Sequence, residues 1–322
     1  MRILVTGGAG FLGSHLVESL LKKGHDVIVL DNFWTSHPKN LSHLSYSLLE
    51  VIRADISHPH TLSNLTNIDQ IYHLACPASP IHFPTSPLEI LQTCYLGTKN
   101  TLDLALHLKA RFLLASTSEI YGQPVEHPQK ESYYGNTNSF GPRSCYDEGK
   151  RVAEALVYAY RQQHALEVRV ARIFNTYGPG MAKKDGRVVS SFFEAAIEGE
   201  ELVVNGDGKA TRCFQFVDDC VRGLEGLMNS EWEGGPVNLG SESEVSVGEL
   251  AELVLTLVKE RAGKAEGKVV FKQSLEDDPV KRRPDCSLAR EVLGWEPREE
   301  LEEGLRKTLD WHLENRCSTS DA

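Results

Sequence analysis

Short apolar runs alternate with amphipathic stretches through the first half of the chain. Six apolar runs have the length of a buried strand, namely residues 1–6, 26–30, 49–52, 70–74, 112–115 and 168–173. Between them, apolar residues at helical spacing predict helices, among them residues 87–108 and 146–163. This alternation predicts an α/β fold with a doubly wound parallel sheet, in which ligands bind at the carboxyl ends of the strands.

A glycine-rich turn joins the first strand to the first helical pattern. Gly7 and Gly10 allow the backbone to turn tightly and approach a pyrophosphate, and Gly13 permits close packing of the helix that follows. The amides at the start of that helix favour phosphate groups. The alternative is a glycine turn in an ordinary strand–helix unit. The strand context and the three glycines together favour a dinucleotide site.

An acidic residue ends the second predicted strand. Asp31 lies 18 residues beyond Gly13, where a carboxylate can accept hydrogen bonds from the adenosine ribose hydroxyls. The same charge would repel a 2′-phosphate. The sequence therefore predicts NAD, rather than NADP, as the cofactor.

The domain prediction follows from where the alternation weakens. Beyond residue 180 helices are still predicted over residues 188–198, 247–259 and 301–313, and loops or frayed ends over residues 122–142, 262–268 and 318–322. We predict a Rossmann domain over residues 1–177, to which segments near 212–240 return. A smaller C-terminal α/β domain over residues 178–322 is predicted to bind the substrate.

Tyr146 and Lys150 are spaced to share one face of a predicted helix. A free tyrosine ionises near pH ~10, so a tyrosine that acts as a base near neutrality needs a neighbouring positive charge. Lys150 is placed to supply that charge. Taken alone, the pair has a simpler interpretation as two solvated side chains, but the dinucleotide turn favours catalysis.

The strand at 112–115 leads into hydroxyl and carboxylate side chains. Thr117 or Ser118 can hydrogen-bond a substrate hydroxyl, and Glu119 can act as a second acid or base. Capping of the strand end is the competing interpretation for this segment alone. Next to the glycine turn and the Tyr146/Lys150 pair, a catalytic role is the better prediction.

The chain resembles the extended short-chain dehydrogenase/reductase family and, within it, the UDP-glucuronate decarboxylases, also called UDP-xylose synthases. The resemblance covers nearly the whole chain. It is carried by residues 7–13, 31–33, 73–75, 77–80, 116–122, 141–143, 145–151, 172–176, 185–190 and 277–285. The segments 145–151, 185–190 and 277–285 are specific to the decarboxylase branch.

The resemblance implies a reaction that oxidises a nucleotide sugar and then reduces it again. Tyr146 would deprotonate the 4-hydroxyl, Thr117 or Ser118 would orient it, and Lys150 would hold the cofactor ribose. Loss of carbon dioxide from the resulting 4-keto acid leaves an enolate, and the family assigns Glu119 and Arg282 to the chemistry around C5. Reprotonation and return of the hydride then give UDP-xylose.

The resemblance also assigns binding residues. Those that would line the NAD site, besides Gly7, Gly10, Gly13, Asp31, Tyr146 and Lys150, are Phe11, Leu12, Asn32, Phe33, Asp55, Ile56, Leu74, Thr93, Ala115, Thr176 and Arg187. Those that would contact the UDP-sugar are Gln92, Asn175, Arg212 and Arg282. A surface charge is the alternative interpretation of Arg212.

The sequence departs from similar enzymes near the start of the helix at 87–108. Where this chain has Glu89 and Gln92, those enzymes commonly carry lysines. They commonly carry asparagine in place of Cys94, serine in place of Cys76, and a Gly-Arg-Lys run in place of residues 36–38. These differences weaken the assignment of substrate contacts to the start of that helix and of adenosine contacts to the loop at 36–38. The catalytic set is intact.

Two related enzyme classes and one non-enzymatic class remain as alternatives. Dehydratases resemble the chain at Tyr146/Lys150 but typically carry an aspartate where this chain has Ser118. Epimerases that act at C4 usually lack Glu119. An NAD-binding scaffold would have lost at least one catalytic group, and none is missing.

Composition excludes several classes of partner. The net charge of -11 gives no general attraction to nucleic acid or to an anionic membrane, and no apolar run approaches the ~20 residues that span a bilayer. Seven scattered cysteines without a C-x-x-C pair are typical of reduced thiols in the cytoplasm, and the histidines lack the spacing of a metal site. By family resemblance we expect a homodimer that pairs the helices at 87–108 and 146–163.

Overall fold

The computed structural model describes residues 1–44, 47–182, 185–263, 267–273 and 281–315. Its strands, numbered along the chain, are β1 (Arg2–Thr6), β2 (Asp26–Asp31), β3 (Leu49–Arg53), β4 (Gln70–His73), β5 (Arg111–Thr117), β6 (Val168–Ile173), β7 (Thr176–Tyr177), β8 (Leu202–Asn205), β9 (Thr211–Cys213), β10 (Gln215–Phe216), β11 (Val237–Leu239), β12 (Glu244–Ser246), β13 (Val269–Lys272) and β14 (Lys281–Arg282). Its α-helices are α1 (Phe11–Lys22), α2 (Pro87–Gln92), α3 (Thr98–Leu108), α4 (Ser144–His164), α5 (Val188–Glu198), α6 (Val217–Asn229), α7 (Val247–Ala262), α8 (Ser287–Leu293) and α9 (Leu301–Glu314).

Seven parallel strands form the central sheet in the order β3-β2-β1-β4-β5-β6-β11. The chain runs outward from β1 to β3, returns to the centre at β4, and continues outward on the other side. Thr6, the last residue of β1, is in register with Leu30 on β2 and with His73 on β4. Such a reversal of direction opens a crevice at the carboxyl ends of the strands. The predicted doubly wound α/β fold is confirmed.

Alternate residues of the strands enter two separate cores. Ile3 and Val5 of β1 are fully buried on the face that packs against α1 and α6. Leu4, between them, is fully buried on the opposite face, where α3 and α4 pack. Burial of one such side chain stabilises the fold by ~1.5–3 kcal/mol. Because both faces are covered, the strands read as continuous apolar runs in the sequence.

The predicted helix at 87–108 is interrupted. Residues Thr93–Gly97 form a π-helical turn between α2 and α3. Gly97 closes this turn against Ile56, since a Cβ atom at 97 would lie 2.5 Å from Ile56 Cδ1. Apolar spacing predicts helical periodicity but does not distinguish a single wide turn from regular α-helix.

The later part of the chain contributes to the main sheet and to three small sheets. β11 is the edge strand of the main sheet, paired with β6, and the small sheets are β10-β7, β12-β9-β14 and β13-β8. The domain boundary at 177/178 stays a prediction. The predicted frayed end at 318–322, part of the loop at 262–268 and the motif residues 277–279 lie outside the described residues. Across the described ranges, every helix is too short or too polar to cross a bilayer.

Candidate active site

A cleft of about 1650 Å³ opens at the carboxyl ends of β1, β4 and β5. Typical pockets for a single small ligand measure ~300–1,000 Å³, so this cleft has room for more than one. The cleft runs from the loop after β2, past the glycine turn, to the start of α4 and the strand β14. One end is therefore placed for a dinucleotide and the other for a second ligand.

The glycine turn lies on the cleft wall, and its glycines are required by close contacts. Gly7 has a φ of +71°, and a Cβ atom there would lie 2.8 Å from the backbone of Ala75. A Cβ atom on Gly13 would lie 2.2 Å from the carbonyl oxygen of Gly7. α1 begins at Phe11, directly behind the turn, with its first amides near the cleft. This arrangement fits a pyrophosphate, which needs close backbone approach and free amides.

Asp31 ties the glycine turn to the loop after β2. Its Oδ2 accepts a hydrogen bond from the Ala9 amide at 3.0 Å, and its Oδ1 accepts from the Phe33 amide at 2.9 Å and from Ser36 Oγ at 2.8 Å. A carboxylate oxygen has more than one acceptor site, so ribose hydroxyls can still bind there. Asn32 Nδ2 donates to Asp55 Oδ2 at 3.0 Å, which joins two further predicted cofactor residues.

Tyr146 and Lys150 are buried on one face of the first turns of α4. Lys150 Nζ donates to the carbonyl oxygen of Ala115 at 2.9 Å and lies 6.0 Å from the centre of the Tyr146 ring. The ring of Phe83 stacks on Tyr146 with 5.2 Å between centroids. The predicted shared face is confirmed, and both side chains line the cleft.

The expected effect of Lys150 on the pKa of Tyr146 stays a prediction, because burial has the largest effect on that pKa in this structure. Burial, followed by the charge of Cys76, raises the pKa of Tyr146 above its ordinary value, and a hydrogen bond from Thr117 opposes this only in part. Burial dominates because the phenolate is costly to desolvate. The phenol is therefore protonated at neutral pH, and its deprotonation needs additional positive charge from bound ligands.

Thr117 and Ser118 are buried where β5 ends, and both line the cleft. Thr117 Oγ1 also accepts a hydrogen bond from the Glu119 amide at 3.2 Å and thereby caps a short 3-10 turn, Ser118–Tyr121. The capping interpretation is therefore correct for Thr117. It does not exclude the catalytic one, because the same hydroxyl interacts with Tyr146.

Glu119 is held by two arginines. Arg282 donates from Nη1 to Oε1 at 2.5 Å and from Nη2 to Oε2 at 2.8 Å, and Arg143 Nη2 lies 2.9 Å from Oε2. Burial raises the pKa of Glu119, but the two guanidinium groups outweigh it and lower the pKa to about 2. Glu119 is therefore a carboxylate at neutral pH, which favours a role as base or anchor over a role as acid.

Arg143 and Asp147 lie in the site, although the sequence did not predict them as site residues. Asp147 Oδ2 lies 3.8 Å from Arg143 Nε, and its Oδ1 is buried with no hydrogen-bond partner among the residues that the structure describes. Burial and the charge of Glu119 raise the pKa of Asp147 to about 7. Both residues lie close to Tyr146 in the sequence, and this was the signal that could have identified them as site residues.

The predicted phosphate-binding residues lie on the wall formed by the later part of the chain. Arg212 lines the cleft, is buried, and donates from Nη1 to the Thr211 carbonyl oxygen at 2.9 Å, so it is not a surface charge. Asn175 lines the same wall, and its carbonyl oxygen accepts from the Gln215 amide at 2.9 Å. The other predicted binding residues on the cleft wall are Gly10, Phe11, Leu12, Asn32, Asp55, Ile56, Leu74, Thr93, Ala115, Thr176 and Arg187.

Two predicted binding residues do not line this cleft. Gln92 is exposed at the end of α2, because the buried face of that helix is occupied by Ile90. Phe33, which has a φ of +59°, lines a separate surface pocket with Pro38, Leu41 and Leu49. The substrate contact from Gln92 and the cofactor contact from Phe33 therefore stay predictions that the cleft lining does not support. No cluster of three metal-ligating side chains occurs among the residues described.

Comparison with known proteins yields consistent matches. The model of the GDP-mannose 4,6 dehydratase family matches residues 4–308. UDP-glucuronic acid decarboxylase 1 of Arabidopsis thaliana is 51% identical over 322 residues, which cover 100% of this chain and 72% of the relative.

Solved structures with the same fold include enzymes that hold NAD. The dTDP-glucose 4,6-dehydratase DesIV of Streptomyces venezuelae, with NAD and TYD bound, is 27% identical with a TM-score of 0.90 and covers 99% of both chains. The UDP-glucuronic acid 4-epimerase of Bacillus cereus, in complex with UDP-glucuronic acid and NAD, is 26% identical with a TM-score of 0.85. It covers 98% of this chain and 100% of its own.

Proposed function

The chain belongs to the GDP-mannose 4,6 dehydratase family and, within it, to the UDP-glucuronic acid decarboxylases, and on this premise we propose that it converts UDP-glucuronate to UDP-xylose with bound NAD. The observation that carries this proposal is the buried end of the cleft. There the phenol of Tyr146 and the Glu119–Arg282 ion pair line one space at the end of β5. One reaction centre thus combines a proton-transfer group with fixed charges.

The glycine turn supports NAD as the cofactor, since the close contact of Gly13 with the Gly7 carbonyl oxygen holds the turn tightly against the start of α1, where backbone amides can bind a pyrophosphate. Asp31, with its acceptor sites facing the loop after β2, favours unphosphorylated ribose. When bound, NAD supplies reversible oxidation at the sugar C4. Lys150 would hold the nicotinamide ribose, because its Nζ is fixed at the carbonyl oxygen of Ala115.

Tyr146 would take the proton from the substrate 4-hydroxyl and later return it. The phenol is buried and interacts with Thr117, so a substrate hydroxyl can join the same hydrogen-bond network. Positive charge near the phenol must offset the cost of its burial before it can act as a base. Lys150, which lies 6.0 Å from the ring, contributes to that field.

Loss of carbon dioxide would occur after C4 is a ketone, because the carboxylate carbon is then attached to the carbon next to the carbonyl. Electrons from the broken bond delocalise into an enolate. Arg282 and Arg143 present positive charge beside this position, and Glu119 fixes both guanidinium groups. We assign Arg282 to the sugar carboxylate and Glu119 to the orientation of Arg282 and to proton transfer around C5.

The alternatives within the fold fit less well. A dehydratase would need an acid at position 118 to protonate its leaving hydroxyl, and the hydroxyl of Ser118 is a poor acid. A 4-epimerase would not need the ion pair of Glu119 with two arginines.

We also propose a homodimer. α2 and the π turn pack against α4 where Leu91 and Cys94 meet Gly149. These helices and the π turn carry exposed apolar side chains, namely Leu88, Leu91, Tyr95, Leu96, Val152 and Tyr158. Leu102, which lies in the helix at 87–108 that was expected to pair, is not part of this surface because it is buried in the core of the single chain. An exposed apolar surface of this kind is typical of subunit contacts.

The test of the proposed function is incubation of purified protein with UDP-glucuronate, followed by nuclear magnetic resonance of the products. The proposal expects UDP-xylose and one carbon dioxide for each substrate consumed. UDP-galacturonate as the product would establish an epimerase instead, and an unsaturated or deoxy sugar nucleotide would indicate elimination of water.

A further inference from the structure

Two cysteines meet beside the reaction centre. Cys76 follows β4 by three residues, and Cys94 lies in the π-helical turn Thr93–Gly97. Their Sγ atoms are 3.3 Å apart. A disulfide has an S–S length of ~2.05 Å, so the pair is reduced here and about 1 Å from bonding distance.

The two thiols differ in access. Cys76 lines the cleft and is partly exposed, whereas Cys94 is 2% exposed. Cys94 is packed against α4, because a Cβ atom on Gly149 would lie 3.0 Å from its Sγ. A small oxidant that enters the cleft therefore meets Cys76 first, with Cys94 directly behind it.

The two thiols also differ in acidity. The hydrogen bond from Cys94 and the charge of Lys150 lower the pKa of Cys76 to about 7, against the opposing effect of burial. The hydrogen bond to Cys76 and burial raise the pKa of Cys94. An accessible thiolate with a protonated thiol as its neighbour is the arrangement of redox-sensitive cysteine pairs.

We propose that Cys76 and Cys94 are a reversible redox pair that a peroxide converts to a disulfide. The Cys76 thiolate attacks one peroxide oxygen, the O–O bond breaks, and the second oxygen leaves as hydroxide, which gives a sulfenic acid on Cys76. Cys94 then attacks the Cys76 sulfur, the S–O bond breaks, and the Cys94 proton and the sulfenic hydroxyl leave as water. Two thiols and one hydrogen peroxide thus give one disulfide and two waters.

The disulfide lowers enzymatic activity, a consequence that rests on the proposed function. Cys94 is fixed against α4, so closure to bonding distance moves Cys76 and the loop that carries it. That loop includes Ala75, whose backbone lies against Gly7 of the glycine turn. The shift therefore displaces the part of the cleft wall that would bind the cofactor next to Tyr146. A dithiol that reduces the disulfide restores the original position of the loop and the activity.

The experiment treats the reduced full-length protein with hydrogen peroxide, blocks free thiols, and digests it with a protease that cleaves after glutamate. Glu89 lies between the two cysteines, so the disulfide appears as peptides 51–89 and 90–119 joined together. Dimedone, which traps sulfenic acids, is added in a parallel sample. Activity with UDP-glucuronate is measured before oxidation, after oxidation and after dithiothreitol.

The proposal expects the joined peptides in the wild type and little dimedone on Cys76. In Cys94→Ser, which lacks the second thiol, dimedone should accumulate on Cys76. Cys286→Ser is the matched control, because Cys286 is buried elsewhere with its Sγ 3.3 Å from the Gly240 carbonyl oxygen, and it should behave as the wild type.

The contrary results are equally distinct. If peroxide treatment leaves both thiols free, or joins Cys76 to Cys145, Cys76 and Cys94 are not a redox pair. Joined peptides with unchanged activity overturn the regulatory consequence. A reduced protein that forms the disulfide but never produces UDP-xylose contradicts the proposed function and leaves the redox pair supported.

Discussion

Glu119 and Arg282 form a two-point ion pair in the buried part of the cleft, with nitrogen–oxygen distances of 2.5 and 2.8 Å. The two residues are 163 positions apart in sequence, and each was assigned separately to the chemistry around C5. The structure shows that the carboxylate fixes the guanidinium. Substrate recognition and catalysis should therefore be sensitive to the geometry of the pair as well as to its charge.

Arg282→Ala should lower kcat/KM for UDP-glucuronate by on the order of 10²-fold, and Arg282→Lys should recover only part of this loss because lysine lacks the planar fork. Binding of NAD, measured by calorimetry, should change little. Arg283→Ala is the matched control, because Arg283 is partly exposed and its ion pair with Glu244 is long, at 3.8 Å. An equal loss of NAD affinity in Arg282→Ala would remove Arg282 from the substrate site.

Tyr146→Phe should lower kcat by ~10²- to 10⁴-fold, the usual contribution of a general acid–base group. The stacking of the ring on Phe83 is retained in the variant, so the fold and NAD binding should persist. Circular dichroism and NAD titration provide the control measurements. Turnover within a few-fold of the wild type would show that another group transfers the proton.

Asp147 should make stability fall as pH rises. Burial and the charge of Glu119 raise the pKa of Asp147 from 3.8 to about 7. The protonated carboxyl therefore contributes its full stabilisation of the folded state below pH 3.8, and this contribution is lost as the pH rises through about 7. The change is on the order of a few kcal/mol, because one pKa unit corresponds to ~1.4 kcal/mol. Arg143 and Arg282 oppose the shift and Glu148 adds to it.

Urea denaturation at pH 5 and pH 8 tests this expectation. The free energy of unfolding should fall less over this interval in Asp147→Asn than in the wild type. Glu119, with a pKa of about 2, is ionised throughout the interval and contributes no slope there. Identical pH dependence in both proteins would mean that Asp147 is already ionised at pH 5 in the folded state.

Gln92→Lys should leave the KM for UDP-glucuronate unchanged, because Gln92 is exposed outside the cleft. This reverses the expectation drawn from related enzymes, in which a lysine at this position suggested a substrate contact. Glu89→Lys, an exposed change on the same helix, is the comparison variant. A lower KM specific to Gln92→Lys would show that α2 approaches the substrate when it binds.

The proposed homodimer predicts a particle of ~72 kDa by light scattering, twice the 35.8 kDa of one chain. Tyr95→Asp, which places a charge among the exposed apolar side chains of the π turn and α4, should shift it toward the monomer. Val125→Asp, also exposed but in the loop at 122–142, is the control. A monomer at micromolar concentration in the wild type would contradict the dimer.

The fold was predicted well from the sequence, because the apolar runs of buried strands and the spacing of apolar residues in helices are both patterns of residues that are close together in the chain. The runs at 26–30 and 168–173 correspond to β2 and β6, and the helix at 188–198 is α5 with the same bounds. Glycine spacing was equally informative, since the close contact of Gly13 with Gly7 leaves no room for a side chain.

The parts that sequence did not predict depend on how elements are rotated and buried. Helical spacing predicted the apolar residues of α2 but not its orientation, and the resemblance to related enzymes assigned Gln92 to the substrate site without showing that its side chain is exposed. The pKa of Tyr146 is set mainly by burial, which spacing from Lys150 does not reveal. The grouping of Asp147 with Glu119 joins distant segments and becomes visible only in the folded chain.

In the proposed reaction, one bound cofactor oxidises the sugar at C4 before carbon dioxide is lost and reduces it again afterwards. Turnover of UDP-glucuronate that carries deuterium at C4 tests it most directly. We expect UDP-xylose that retains deuterium at C4, with no net accumulation of NADH. UDP-xylose without that deuterium, or NADH formed in proportion to product, would contradict it.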